Sequence, residues 1–195
     1  MGPGDKPRDD GDYSRFSRDY EMSSAPPLSL KILNSMNQTG FTTALGFAFE
    51  LSPWVVKRAW DERPFDSVEG LHGAMMAVLD ASTTADKLAL IRAHPELAGK
   101  AAIAKALTAE SNAEQASAGL DRLTPEEFER FHQLNTAYAA RFGFPFIIAV
   151  RLNDKTAILA AMQARLSNTE DEEIAEAISQ IGHISRLRLL DAVSA

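Results

Sequence analysis

The chain of 195 residues contains no cysteine. That absence excludes disulfides, thiolate nucleophiles and cysteine-ligated metal together, and it is compatible with a reducing compartment. Long apolar runs are also missing: the longest, FGFPFIIAV at 142–150, is far short of the roughly 20 residues that span a bilayer. No membrane attachment is expected. The leading stretch MGPGDKPRDDGDYSRFSRDY mixes both charges and lacks the apolar centre of a signal peptide, so a cytoplasmic protein is expected. Basic residues are in deficit, 20 Lys and Arg against 27 Asp and Glu for a formal net charge of -7, whereas a nucleic-acid binder needs a basic face. A small molecule or a protein is therefore the expected partner. Histidine is scarce as well. The four are His72, His94, His132 and His183, no two of them three or four residues apart, so a helical H-x-x-x-H pair is excluded and no metal site is expected.

What is present is a polar tail followed by a long series of helical signals. Residues 1–26 combine Gly, Pro, Asp, Arg and Ser with few aliphatics, too little apolar surface to offset chain entropy, and are expected to form a disordered N-terminal extension. Residues 27–195 are expected to form one compact all-α domain of about eight helices. Ser52-Pro53 offers a capping hydroxyl ahead of a proline at the first helical position. Asp66-Ser67 precedes Val68, Leu71, Met75 and Val78, a buried stripe at helical spacing. Thr83 or Thr84 opens a helix that stops at His94-Pro95, because a residue before proline is driven out of the α region. Thr124-Pro125-Glu126-Glu127 carries the capping box of a helix that turns Phe128, Phe131, Leu134 and Tyr138 inward and ends at Gly143. Further helices are expected over 155–166 and 169–192, the last with Ile174, Ile178 and Ile181 on one face. FPFIIAV finds no second strand to pair with and reads as an extended, buried connector.

Three places hold residues suited to chemistry. His94 stands at the helix break in LIRAHPELAGKAA, residues 90–102, where the proline fixes its backbone and can aim the imidazole into a pocket. A plain helix stop uses the same dipeptide. Ser111, Glu114 and Gln115, spaced i, i+3, i+4, share one helical face, although S-x-x-E is also a capping box in which Glu114 bonds back to the Ser111 amide. Arg188 lies seven residues after Ile181 and so projects from the apolar side of the last helix, whereas Arg186 is turned away. An arginine there needs an anion: either a neighbouring acid or a carboxylate-bearing ligand. His72, His132 and His183 fall within helices and read as surface or boundary residues.

Taken together, HPELAGKAA at 94–102, TAESNAEQASAGLDRLT at 108–124, LNTAYAARFGFPFIIAVR at 134–151 and IGHISRLRLL at 181–190 resemble the decarboxylases of 2-oxo-4-hydroxy-4-carboxy-5-ureidoimidazoline (OHCU) in uric acid breakdown. The resemblance covers residues 29–192 and leaves out the tail. It implies an all-helical decarboxylase without cofactor, a homodimer, that converts OHCU to (S)-allantoin in the last step from urate to allantoin. It places the catalytic roles on His94 and Glu114, and substrate contacts on Pro95, Ser111, Gln115, the main chain of Ile147, and Arg188. The transthyretin-like hydrolase domain sometimes fused to this family is missing, so urate oxidase and hydroxyisourate hydrolase are expected on separate chains. Two competing readings are a helical adaptor, in which His94, Glu114 and Arg188 lie far apart and only stabilise the fold, and an enzyme of the same fold acting on another heterocyclic acid.

Overall fold

Side-chain caps set where most of the helices begin. A computed structural model describes residues 28–99 and 107–194 of the chain. The expected extension over residues 1–26 lies outside the described residues, as do residues 100–102 of the HPELAGKAA segment. Ser29 and Asn37 cap two short helices, α1 (Leu30–Ser35) and α2 (Gln38–Ala44). After α3 (Pro53–Ala59), Ser67, Thr83 and Thr108 cap α4 (Val68–Asp80), α5 (Thr84–Ala93) and α6 (Ala109–Ser117). Capping boxes at Thr124 and Thr169 open α7 (Pro125–Phe142) and α9 (Glu170–Ala192), with α8 (Lys155–Arg165), capped by Asp154, between them. Each such cap contributes about 1 kcal/mol by satisfying an amide that the helix cannot.

The described residues are all-α, with these nine helices, one more than the periodicity predicts, and one short parallel pairing of β1 (Leu28–Ser29) with β2 (Val193–Ser194). One expected cap is not used. Ser52 makes no side-chain bond to α3, because its ψ of 60° lies far from the extended values near 150–165° with which the working caps aim their oxygens at the first turn. Pro53 alone starts that helix.

α9 organises the core, packing on α4 and α5, while α3 bridges α2 and α4 and α7 lies along α8. Leu71 and Met75 from α4, Leu90 and Ile91 from α5, and Ala177, Ile181 and Leu189 from α9 are essentially inaccessible to water. Burying a large apolar side chain of this kind is worth about 1.5–3 kcal/mol. The stripes differ slightly from expectation: Leu79 rather than Val78 completes the buried face of α4, and Phe128 is only half-buried on α7. His72 has a structural place. Its Nε2 donates to the Gly182 carbonyl at 2.9 Å and lies 3.2 Å from Ser185 Oγ, joining α4 to α9.

α7 ends at Gly143, whose φ of 71° needs a residue without Cβ strain. The chain then runs without helix or strand through residues 145–149, with Phe144, Phe146, Ile147, Ile148 and Ala149 all buried, as the connector reading predicts. Its position is held from behind. Arg165 of α8 donates Nη1–H to the Ile147 carbonyl at 2.8 Å and stacks 4.3 Å over the Phe146 ring. The buried Glu173 of α9 in turn accepts from Arg165 Nε at 2.8 Å, from the Tyr138 hydroxyl, and from Asn168 at 2.8 Å. Burial first, then the Glu173 carboxylate, push the Tyr138 phenol far above its ordinary pKa, so it acts here only as a donor.

Candidate active site

The break at Pro95 does aim His94 inward. Its backbone leaves the helix at ψ 143°, and its ring is buried. Nδ1 lies 3.0 Å from the carbonyl of Leu90, one turn back in α5. A carbonyl only accepts, so the proton sits on Nδ1 and the neutral ring keeps a bare lone pair on Nε2. Burial lowers the pKa below the ordinary histidine value, and the positive charge of Arg188 adds to this. The Leu90 bond and the negative charge of Glu50 pull the other way. A neutral imidazole near pH 7, with its basic nitrogen free, can take a proton.

α6 supplies the next three groups. Thr108 caps it, its Oγ1 accepting from the Ser111 amide at 3.3 Å, so the alternative in which Glu114 bonds back to that amide is not realised. Both Glu114 oxygens go to Arg188 of α9: Oε1 accepts from Nε at 2.7 Å and Oε2 from Nη2 at 2.8 Å. Such a bidentate pair fixes direction as well as charge. Ser111 Oγ lies 3.3 Å from Arg188 Nη2. Gln115 turns toward the loop after His94: its Oε1 accepts from Ala98 N at 3.0 Å and its Nε2 donates to the Glu96 carbonyl at 3.4 Å. It therefore holds Ala98, which sits at a φ of 52°, and with it the backbone that follows the histidine.

Arg188 also donates to the Phe47 carbonyl at 3.0 Å and to Glu50 Oε2 at 3.3 Å. Burial disfavours its charge, but the two carboxylates outweigh that and raise its pKa further. Arg186, as expected, faces outward toward Glu69. His94, Pro95, Ser111, Glu114, Gln115, Ile147 and Arg188 line one cleft, closed by Leu97, Phe146, Ile148, Val150 and Ile184. This juxtaposition is what the adaptor reading lacks.

Sequence reasoning missed Glu50. Its carboxylate is buried and accepts from Thr108 Oγ1 at 2.8 Å and Ser111 Oγ at 3.0 Å besides Arg188. The available signal was an acid inside the apolar run GFAFEL, where an ionised side chain needs partners. Among the described residues no three His, Asp or Glu are grouped so as to hold a metal ion, and His132 and His183 are exposed. No described helix is long and apolar enough to cross a membrane.

The chain as a whole has known relatives. The profile of the OHCU decarboxylase family matches residues 34–190. A Halalkalicoccus jeotgali protein named 2-oxo-4-hydroxy-4-carboxy-5-ureidoimidazoline decarboxylase is 41% identical over 162 residues, which is 83% of this chain and 90% of that protein. The uric acid degradation bifunctional protein PucL of Bacillus subtilis is 39% identical over 162 residues, 83% of this chain and 32% of that longer protein. A crystal structure of (S)-allantoin synthase superposes with a TM-score of 0.69 at 31% identity, covering 86% of this chain and 54% of the other, so this chain spans about half of that protein's length. Since the family match runs from α1 to the end of α9 across every element that builds the cleft, the chain belongs to the OHCU decarboxylase family.

Proposed function

We propose that this protein is a carboxy-lyase that converts OHCU to (S)-allantoin in uric acid degradation. The observation that carries the reading is a buried, neutral His94 in the same cleft as the Arg188–Glu114 pair. OHCU carries a carboxylate and a hydroxyl on one ring carbon beside a carbon–nitrogen double bond. When the bond to the carboxylate breaks and carbon dioxide leaves, its electron pair forms a carbon–carbon double bond, and the π pair of the carbon–nitrogen double bond moves to nitrogen, which takes up a proton. The substrate is its own electron sink, so the reaction needs no cofactor. The resulting enol loses its hydroxyl proton and gains one on the neighbouring carbon, which gives allantoin.

In this reading His94 Nε2 takes the hydroxyl or carboxyl proton, and Glu114 governs protonation of the adjacent carbon from one face, which sets the (S) configuration. Arg188 pairs with the substrate carboxylate. Ser111, Gln115 and the Pro95 main chain meet the ring and ureido amides. The Ile147 carbonyl already accepts from Arg165, so its N–H is the main-chain group offered there. The same reading takes the protein as a cytoplasmic homodimer acting on OHCU that urate oxidase and hydroxyisourate hydrolase produce from urate. The test is to generate OHCU from urate with those two enzymes, add this protein, and follow the circular dichroism of (S)-allantoin. Racemic product at the spontaneous rate would refute the assignment.

A further inference from the structure

We infer that Glu50 is a positioning residue for the decarboxylation: a fixed counter-charge that keeps Arg188 in the cleft wall while Glu114 gives up the guanidinium to the substrate. The inference rests on the proposed role of Arg188 as the clamp for the substrate carboxylate. Two carboxylates share this one guanidinium, and they are anchored differently. Glu114 uses both oxygens on Arg188, and its side chain keeps 12% of its exposure, at the cleft. Glu50 is 4% exposed and is held by the hydroxyls of Thr108 at 2.8 Å and Ser111 at 3.0 Å in addition to Arg188 at 3.3 Å. An incoming carboxylate that takes the Nε and Nη2 edge of Arg188 displaces Glu114, which has no other charged partner among the described residues. It leaves Glu50 on Nη1. Without Glu50 the buried cation would depend on Glu114 alone, and releasing Glu114 would strand it.

The backbone around Glu50 is built for this placement. Leu51 follows it at a φ of 44° with 76% of its surface exposed, so no packing of the leucine accounts for a left-handed conformation that a Cβ disfavours. The turn closes through Ser52 N to the Phe49 carbonyl at 3.2 Å and directs Glu50 toward α6 and α9. Thr108 Oγ1 accepts from the Ser111 amide and donates to Glu50, so the cap of α6 and the counter-charge share one hydroxyl.

The charged and titratable groups that Glu50 meets are Arg188 from α9 and His94 from α5, with Glu114 of α6 on the far edge of the guanidinium. Beyond that pair, Glu110, Arg151 and Asp191 line a neighbouring chamber, where Arg151 and Asp191 pair at 2.6 Å. Removing a negative charge weakens proton binding at each neighbouring group. Glu50→Gln, which keeps the shape, is therefore expected to move both limbs of the kcat/KM pH profile to lower pH by about half a unit or more. Glu50→Asp keeps the charge but withdraws it by one methylene, so its profile should stay in place while kcat falls about tenfold or more. Both variants are assayed for OHCU consumption against the parent, after their folding is checked by circular dichroism. A Glu50→Gln profile at the parent pH, with only its height reduced, would make the role purely structural. If Glu50→Gln does not fold, Glu50→Asp still decides: parental turnover, or a displaced profile, overturns the inference. Failure of the parent protein itself to consume OHCU would refute the functional reading instead.

Discussion

Arg188 and Glu114 meet edge to edge across 74 residues of sequence, Nε to Oε1 at 2.7 Å and Nη2 to Oε2 at 2.8 Å, inside the cleft that also holds His94. The pair is unequal. Arg188 balances two carboxylates, the buried Glu50 and the partly buried Glu114, whereas Glu114 is one of two partners of the cation. Arg188→Gln leaves the buried Glu50 and the partly buried Glu114 without a cation and should cost about 3–5 kcal/mol, while Glu114→Gln leaves Arg188 paired with Glu50 and should cost about 1 kcal/mol. Denaturant unfolding of the two variants measures the difference, and equal losses would show that the pair is not the asymmetric centre described. Both variants should lose most OHCU turnover.

His94→Asn separates catalysis from folding at the helix break. Asparagine keeps a polar side chain ahead of Pro95, so the stop survives and stability at neutral pH should change little. The amide exchanges no proton near pH 7, and general acid–base groups typically contribute about 10²–10⁴-fold. A folded His94→Asn that consumes OHCU at the parent rate would reduce the histidine to punctuation.

The acid side of the stability profile follows from the same group. The folded pKa of His94 is depressed, chiefly by burial, below the value it has when unfolded. Between those two values the unfolded chain binds more protons, so stability is complete above the ordinary histidine pKa and falls as the pH drops through that window. His72, also depressed by burial, adds a slope of the same sign. Melting curves from pH 8 down to pH 5 should show the parent losing stability, with His94→Asn losing less and retaining only the His72 contribution. A flat parent profile would contradict a buried neutral imidazole.

Local features of this fold were legible, and pairings between distant residues were not. Thr83 and Thr124 cap the helices they mark, because capping is settled within four residues. The faces of Arg188 and Arg186 follow from the helical turn alone. Glu50 gains its meaning only from residues 58, 61 and 138 positions away. Glu173 is the fourth acid of the run Glu170, Asp171, Glu172, Glu173, and only the packing of α8 and Tyr138 tells it from its solvated neighbours. His72 reads as a boundary residue until Gly182, 110 positions later, presents its carbonyl. Ser52 shows the converse: a cap-forming residue type at the right place, overruled by the turn that brings Glu50 inward.

Arg165 offers a test of the connector. Arg165→Lys keeps the charge beside Glu173, but a single ammonium cannot also reach the Ile147 carbonyl and stack on Phe146. Loosening the main chain at Ile147 should raise KM for OHCU several-fold, with kcat less affected than in His94→Asn. An unchanged KM would separate Ile147 from substrate binding.

Leu51 makes the last prediction, because strain and exposure coincide there. A leucine at a φ of 44° carries the clash between Cβ and the following carbonyl, about 1–2 kcal/mol, and with 76% of its surface in water it recovers little by burial. Asparagine adopts this conformation more readily and, unlike glycine, adds little freedom to the unfolded chain. Leu51→Asn should therefore keep Glu50 in place, leave OHCU turnover at the parent rate, and raise Tm by about 2–4 °C for each kcal/mol of strain relieved. The measurement is a pair of melting curves at equal protein concentration, with the assay run alongside. A lower Tm would mean that the exposed leucine contributes more through contacts than the turn costs, and the account of a backbone strained to place Glu50 would fail.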